Sequence, residues 1–223
     1  IEPVPAPSRP GLIAPATLPQ LGMTWLTLDP AEYTARAIFL TDGESVEDMI
    51  DRWNVKPTIL FSPCLFDTRS KRTMGTLISG GQQLQDHHGP KVGYAWGIDE
   101  RGFFCKPCLG TAPAGVEMGG CGPAYLINGR AEPNLTEQGY TRNGGIFTAA
   151  LRTAIGTDAE GRLLLAASTQ SMTPEQFSAA LQTLGARSAV GLTGGQRALL
   201  YANGTWYRKP RGSIPYVIAF WKR

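Results

Sequence analysis

Residues 162–192, RLLLAASTQSMTPEQFSAALQTLGARSAVGL, decide how this chain reads. The run 162–168 is apolar, too short for a typical helix, and preceded by Gly161, which favours a buried strand. Thr173 then opens a helix over about 174–184. Its hydroxyl can cap the first turn, Pro174 sits where a missing N–H costs nothing, and Gln176 occupies the capping-box position. Gly185 supplies a left-handed stop. Phe177, Ala180, Leu181 and Leu184 share one face, so the helix has an apolar stripe to lay on a sheet. A second strand, 188–192, runs into Thr193-Gly194-Gly195-Gln196-Arg197. Such a β-α-β unit sets that glycine turn at the carboxyl end of a strand, the edge where open sheets bind ligands.

Outward from this core, strands are expected at 25–28, 36–40, 58–61, 76–78, 92–98, 103–104, 124–127 and 216–220. An amphipathic helix over 45–53 has Ser45 as cap, acidic Glu47 and Asp48 in its first turn, and Val46, Met49, Ile50 and Trp53 on its buried face. Residues 99–102 and Asn128-Gly129 read as turns, and 141–149 as a loop ending just before Arg152. The expected class is α+β: a single domain with a β-rich mixed sheet, packed helices and a β-α-β unit near the C-terminus. Residues 1–23 begin as a proline-rich tail or linker, and 24–223 form the domain.

Composition fits. The 27 glycines and 17 prolines point to many turns rather than a helical bundle, and 42% hydrophobic content supports a real core. A chain of 223 residues buries about 70% of its unfolded surface and needs no staple merely to fold. The net charge of +3 is dispersed, with no basic stripe, which argues against nucleic acid as partner. No run of 18 apolar residues suggests a membrane span. The chain starts at Ile1 rather than Met, consistent with a trimmed form. An extracellular, cell-surface or virion-associated place is expected over a cytoplasmic one.

Several segments together resemble the phosphodiester glycosidase family. Arg152-Thr153-Ala154-Ile155-Gly156 matches the family's R-T-A-I-G, and Leu184-Gly185-Ala186 its L-G-A. Leu192-Thr193-Gly194-Gly195-Gln196-Arg197 is similar to its L-D-G-G-G-S, with Thr193 where the family has aspartate. Phe61-Ser62-Pro63-Cys64-Leu65-Phe66-Asp67 resembles N-G-G-F-F-D, keeping Phe66 and Asp67. Gly119-Gly120-Cys121-Gly122-Pro123, followed by Leu126-Ile127-Asn128-Gly129, is similar to its G-G-P and hairpin, and 211–220 to its closing strand. The resemblance spans roughly 24–223. It implies a cleft that hydrolyses or binds a sugar-1-phosphodiester, with sugar phosphate or glycan as ligand.

Carried onto this chain, the motifs nominate Asp67 and Glu117 as the carboxylates left for acid or base work, beside Thr193 at the aspartate's position. Ser62, Cys64, Gly120, Cys121, Arg152, Thr153, Gly194, Gly195, Gln196 and Arg197 would line the ligand. An arginine can hold a phosphate by two parallel hydrogen bonds, and a glycine turn can offer it backbone N–H groups. For Arg152 the bland alternative is a structural salt bridge to Asp67 or Asp158; for the turn, it is an ordinary tight turn. Threonine neither stores negative charge nor exchanges a proton near neutral pH. Hydrolysis and binding by a degenerate relative, such as a phage or cell-surface module, therefore both stay open.

The four cysteines carry a separate expectation. Cys105 and Cys108 have the spacing of a zinc knuckle or redox pair, and a zinc site would need Cys64 and Cys121 to converge on them. Disulfides and plain buried thiols are the other readings. His87 and His88 read as an exposed loop pair, Trp25, Trp53 and Trp96 as core or strand residues. Trp206 and Tyr207 read as part of a polar turn beside Arg208 and Arg211, able to stack on a sugar or to pack on an edge strand.

Overall fold

A computed structural model of the chain describes residues 15–54, 56–86, 92–108, 115–132, 134–141 and 145–223. The expected helix signals form as read. Thr173 Oγ1 accepts from the Gln176 amide while the Gln176 side chain accepts from the Thr173 amide, closing the capping box at the start of α2 (Pro174–Thr183). Ser45 and Asp48 do the same for α1 (Val46–Arg52). Each cap contributes about 1 kcal/mol. Gly185 ends α2 with φ of 80°.

The rest is strand. In chain order these are β1 (Ala16–Leu18), β2 (Met23–Leu28), β3 (Tyr33–Phe39), β4 (Ile59–Phe61), β5 (Leu77–Ser79) and β6 (Gln82–Gln85). There follow β7 (Tyr94–Asp99), β8 (Gly102–Pro107), β9 (Met118–Gly122), β10 (Ala124–Ile127), β11 (Arg130–Ala131) and β12 (Thr153–Asp158). The last are β13 (Leu163–Ser168), β14 (Ala186–Gly191), β15 (Leu200–Ala202), β16 (Thr205–Arg208) and β17 (Tyr216–Lys222). They build one seven-stranded sheet, β1-β2-β13-β12-β14-β10-β11, and two five-stranded sheets, β16-β15-β4-β17-β3 and β6-β5-β9-β7-β8.

The expected mixed sheet is corrected here: these strand pairings are all antiparallel. The β-α-β unit exists, but in split form. β13 and β14 run the same way, yet β12 lies between them and hydrogen-bonds to both. Two parallel strands separated by an antiparallel one give an antiparallel sheet, and α2, which joins them, packs against β14, β10 and β11.

Alternation explains the layers. Leu163, Leu165 and Ala167 of β13 face a central core shared by the sheets, while Leu164 and Ala166 face α2. Tyr216, Ile218 and Phe220 of β17 enter the same central core, and Val217 and Ala219 meet α1. Strands buried on both faces read as continuous apolar runs, because successive side chains point to opposite sides.

Other departures have local causes. Strand β9 carries three glycines, so no apolar alternation marks it; Gly120 lets the Cys64 sulfur pack where a Cβ would stand only 2.3 Å away. Ala16–Leu18, within the stretch read as tail, is an edge strand on β2. Trp206 and Tyr207 lie on β16 rather than in a turn, and Trp206 packs on Tyr201 at 5.1 Å. Asn128 and Gly129 form the expected hairpin turn, both at positive φ (52° and 79°). The His87-His88 pair, residues 1–14 of the tail, and Gly144 fall outside the described residues. Among the described residues no helix is long and apolar enough to cross a membrane.

Candidate functional site

Three segments named by the sequence converge. The stretch after β4 and the turn after β14 are stitched together: the Thr193 amide donates to Pro63 O (2.9 Å) and the Thr193 hydroxyl to Cys64 O (2.7 Å). From β12, the Thr153 hydroxyl donates to Thr193 O (2.9 Å), and the Gly195 amide to Leu151 O (2.7 Å). Gly194 is required for this closeness, since a Cβ there would stand 2.2 Å from Leu151 O. The Ser62 hydroxyl spans to the Leu199 backbone and is wholly buried.

Beside this floor opens a cavity of about 630 Å³, within the range of small-molecule sites. Leu65, Phe66, Met74, Ile146, Leu151 and Leu192 give it apolar walls, and Tyr125 and Tyr140 add two phenols. Thr193, Gly194 and Gly195 form one side. Arg152 and Arg197 are its cations. No Asp or Glu lines it among the described residues.

The two arginines differ in kind. Arg152 is 5% exposed, and its guanidinium is almost fully engaged by neutral groups. Nε donates to Met172 O (2.7 Å), Nη1 to the Tyr125 hydroxyl (2.9 Å), and Nη2 to Ile146 O (2.9 Å) and Thr148 O (2.5 Å). Neither salt-bridge partner expected for it forms: Asp158 pairs with Arg162, and Asp67 caps a turn. Arg152 is thus a clamp that fixes the loop over the cavity and brings a positive charge behind the wall, without a direct ion pair but within electrostatic reach of Glu175. Arg197 is held by one bond, Nε to Ser213 O (3.1 Å), and by the Phe66 ring, 5.9 Å from its guanidinium carbon. Its terminal nitrogens have no protein acceptor among the described residues. Of the two, Arg197 has hydrogen-bond donors to give.

The titratable neighbours favour neutral forms. Burial pushes the hydroxyls of Tyr125 and Tyr140 up, away from any role as base near neutral pH. Burial likewise pushes the Cys64 thiol up to about 11, which opposes a nucleophilic thiolate. Contact with Cys108, then burial, pushes Cys121 up; the two sulfurs are 3.5 Å apart.

The remaining candidates scatter. Asp67 lies between the cavity-lining Phe66 and Thr68, with Oδ1 accepting from the Arg69 and Ser70 amides (2.9 and 2.7 Å). Glu117 stands elsewhere, bound to Arg36, to the Ala35 amide and to Arg223. Cys64, Gly120 and Cys121 lie beneath the site rather than lining it. Gln196 is exposed and offers its carbonyl to the Arg211 amide. The Gly195 amide is spent on Leu151 O and the Arg197 amide on Gly194 O, which weakens the turn as an amide nest. The cysteines do not gather a zinc set: among the described residues no three His, Cys, Asp or Glu come together, and Cys105 turns to Ser188. Sequence reasoning missed Tyr125 and Tyr140. Nothing in their spacing marks them, because one lies on a strand and the other in a loop that only the fold brings together.

Residues 64–221 match the family model described as phosphodiester glycosidase. No curated protein matches the sequence. Among solved structures, the chain is similar to the zebrafish N-acetylglucosamine-1-phosphodiester alpha-N-acetylglucosaminidase catalytic domain auto-inhibited by its pro-peptide. The identity is 21% and the TM-score 0.71, over 90% of this chain and 77% of that one. A hypothetical protein from Synechocystis gives 16% identity and TM-score 0.64, covering 90% and 59%. A putative exported protein from Burkholderia pseudomallei gives 10% and 0.54, covering 89% and 73%. These likenesses show the fold.

Proposed function

Because the chain belongs to the phosphodiester glycosidase family, we propose that its cavity binds a sugar-1-phosphodiester and hydrolyses it slowly or not at all. The observation that carries this reading is the cavity's charge: two arginines and, among the described residues, no carboxylate. Arg197 donates to the phosphate oxygens, and the buried charge of Arg152 adds to the attraction. Glycoside hydrolysis ordinarily uses a pair of carboxylates, and a placed acid or base is worth about 100- to 10,000-fold. The Thr193 hydroxyl is spent on Cys64 O, and the two phenols are held protonated.

Calorimetric titration with the methyl diester of N-acetylglucosamine 1-phosphate tests the binding, run beside an assay of sugar release. Binding lost in Arg197→Ala, with negligible release by the native chain, is the expected result. No binding by the native chain refutes the reading. A second reading makes Asp67 a displaced catalytic carboxylate, favoured by its place between two cavity-lining residues. Robust turnover that disappears in Asp67→Asn would select it.

A further inference from the structure

We propose that the cavity is selective for diesters whose alcohol half is an alkyl or isoprenoid chain, so that the ligand is an amphiphile seated tail-inward. This rests on the phosphodiester reading above and deepens it. Each hydroxyl of a sugar needs a partner when it leaves water, and an unpartnered one weakens binding. The described lining residues include no Asp, Glu, Asn, Gln or His side chain to accept from such hydroxyls. Of the lining hydroxyls, Thr193 donates to Cys64 O, Thr148 donates to Gly145 O and Tyr125 accepts from Arg152, which leaves those of Thr68, Tyr140 and Thr141 among the apolar walls. The arginines only donate. The interior therefore matches an anion with an apolar body, and the sugar half faces the opening.

The apolar groups are also placed next to the charge. Phe66 lies under the Arg197 guanidinium, Leu65 precedes it, and the Met74 amide donates to Leu65 O, which sets Met74 beside them. Met74 is 38% exposed, one of three large hydrophobic side chains left in solvent among the described residues, and it is the only one of the three that lines this cavity. A phosphate held at Arg197 puts the first methylenes of its alcohol against Leu65, Phe66 and Met74.

The test is calorimetric titration of the methyl, butyl and octyl diesters of N-acetylglucosamine 1-phosphate, kept below their micellar concentrations. Affinity should rise about 4-fold per buried methylene, hence about 60-fold over the three methylenes from methyl to butyl. Arg197→Ala should abolish binding of all three, and Met74→Gln should lower the octyl-to-methyl affinity ratio at least about 3-fold. Methyl and butyl diesters binding equally, and through Arg197, overturn this inference and leave the phosphodiester reading standing. Octyl binding that survives Arg197→Ala is adsorption and also overturns it. No binding by any of the three removes both.

Discussion

Replacing Arg152 by lysine should cost the fold stability before it changes any chemistry. The guanidinium reaches Met172 O, the Tyr125 hydroxyl, Ile146 O and Thr148 O, acceptors drawn from a strand and from separate loop segments. An ammonium keeps the charge but donates from a single atom, so it can reach at most two of these four. Hydrogen bonds to a charged group are worth about 1.5–3 kcal/mol each. Water can reach Ile146 O and Thr148 O once they are released, since both bonds are only partly buried. The expected loss is about 2–4 kcal/mol, a large part of the 5–15 kcal/mol typical of a domain but short of unfolding it. For a chain of this size that lowers Tm by about 5–15 °C. Thermal and urea unfolding followed by tryptophan fluorescence would read it, and Arg197→Lys, which breaks one bond, should stay within about 2 °C of the native protein. A Tm for Arg152→Lys within about 1 °C of native would refute the clamp.

Three further outcomes follow from the same geometry. Thr193→Asp should not restore turnover and should lower stability by about 1–3 kcal/mol, because the carboxylate would face Cys64 O where the hydroxyl now donates; sugar release and Tm check both. Gly194→Ala should lower Tm and weaken diester binding together, since a Cβ 2.2 Å from Leu151 O must displace the turn; unchanged values for both would count against the close approach. Stability should fall as pH rises from about 8.5, where an unfolded thiol ionises, through about 11, where buried Cys64 does. The folded pKa lies above the unfolded one, so this contribution is whole at lower pH and lost through that window. Cys64→Ala should remove part of the alkaline fall, on the order of 2–3 kcal/mol, in urea titrations at pH 8 and 11; an identical fall in both proteins would remove Cys64 as its source.

What the sequence discloses about this molecule tracks how local each determinant is. The caps at Thr173 and Ser45 lie within four residues of what they cap, and both helices appear where they are expected. The antiparallel sheet does not disclose itself, because the strand that separates β13 from β14 is an earlier one and its register is set by contacts across the sheet. Strand β9 is hidden by the glycines that allow its neighbours to approach. At the site, residue type announced that Arg152 and Arg197 are cations, but not that one would be consumed by carbonyls and the other left with donors. Motif position suggested Glu117 for the cleft, whereas its partners Arg36 and Arg223 lie at sequence separations that no local pattern encodes.

The position of β17 has a consequence for how the protein is made. The last of the described strands is not an edge: it lies between β4 and β3, bonded to Ile59–Phe61 on one side and along its whole length to β3 on the other. Until residues 216–222 have been synthesised, β3 and β4 each have an open edge, and the central core lacks Tyr216, Ile218 and Phe220. Domains begin to organise from the N-terminus during synthesis, and unpaired strand edges in such intermediates invite aggregation. Here the second sheet can close only once β17 has been synthesised. A ribosome stalled before Tyr216 would hold a chain in which β3 lacks its antiparallel partner, and a nonsense codon there would yield a product for the quality-control machinery.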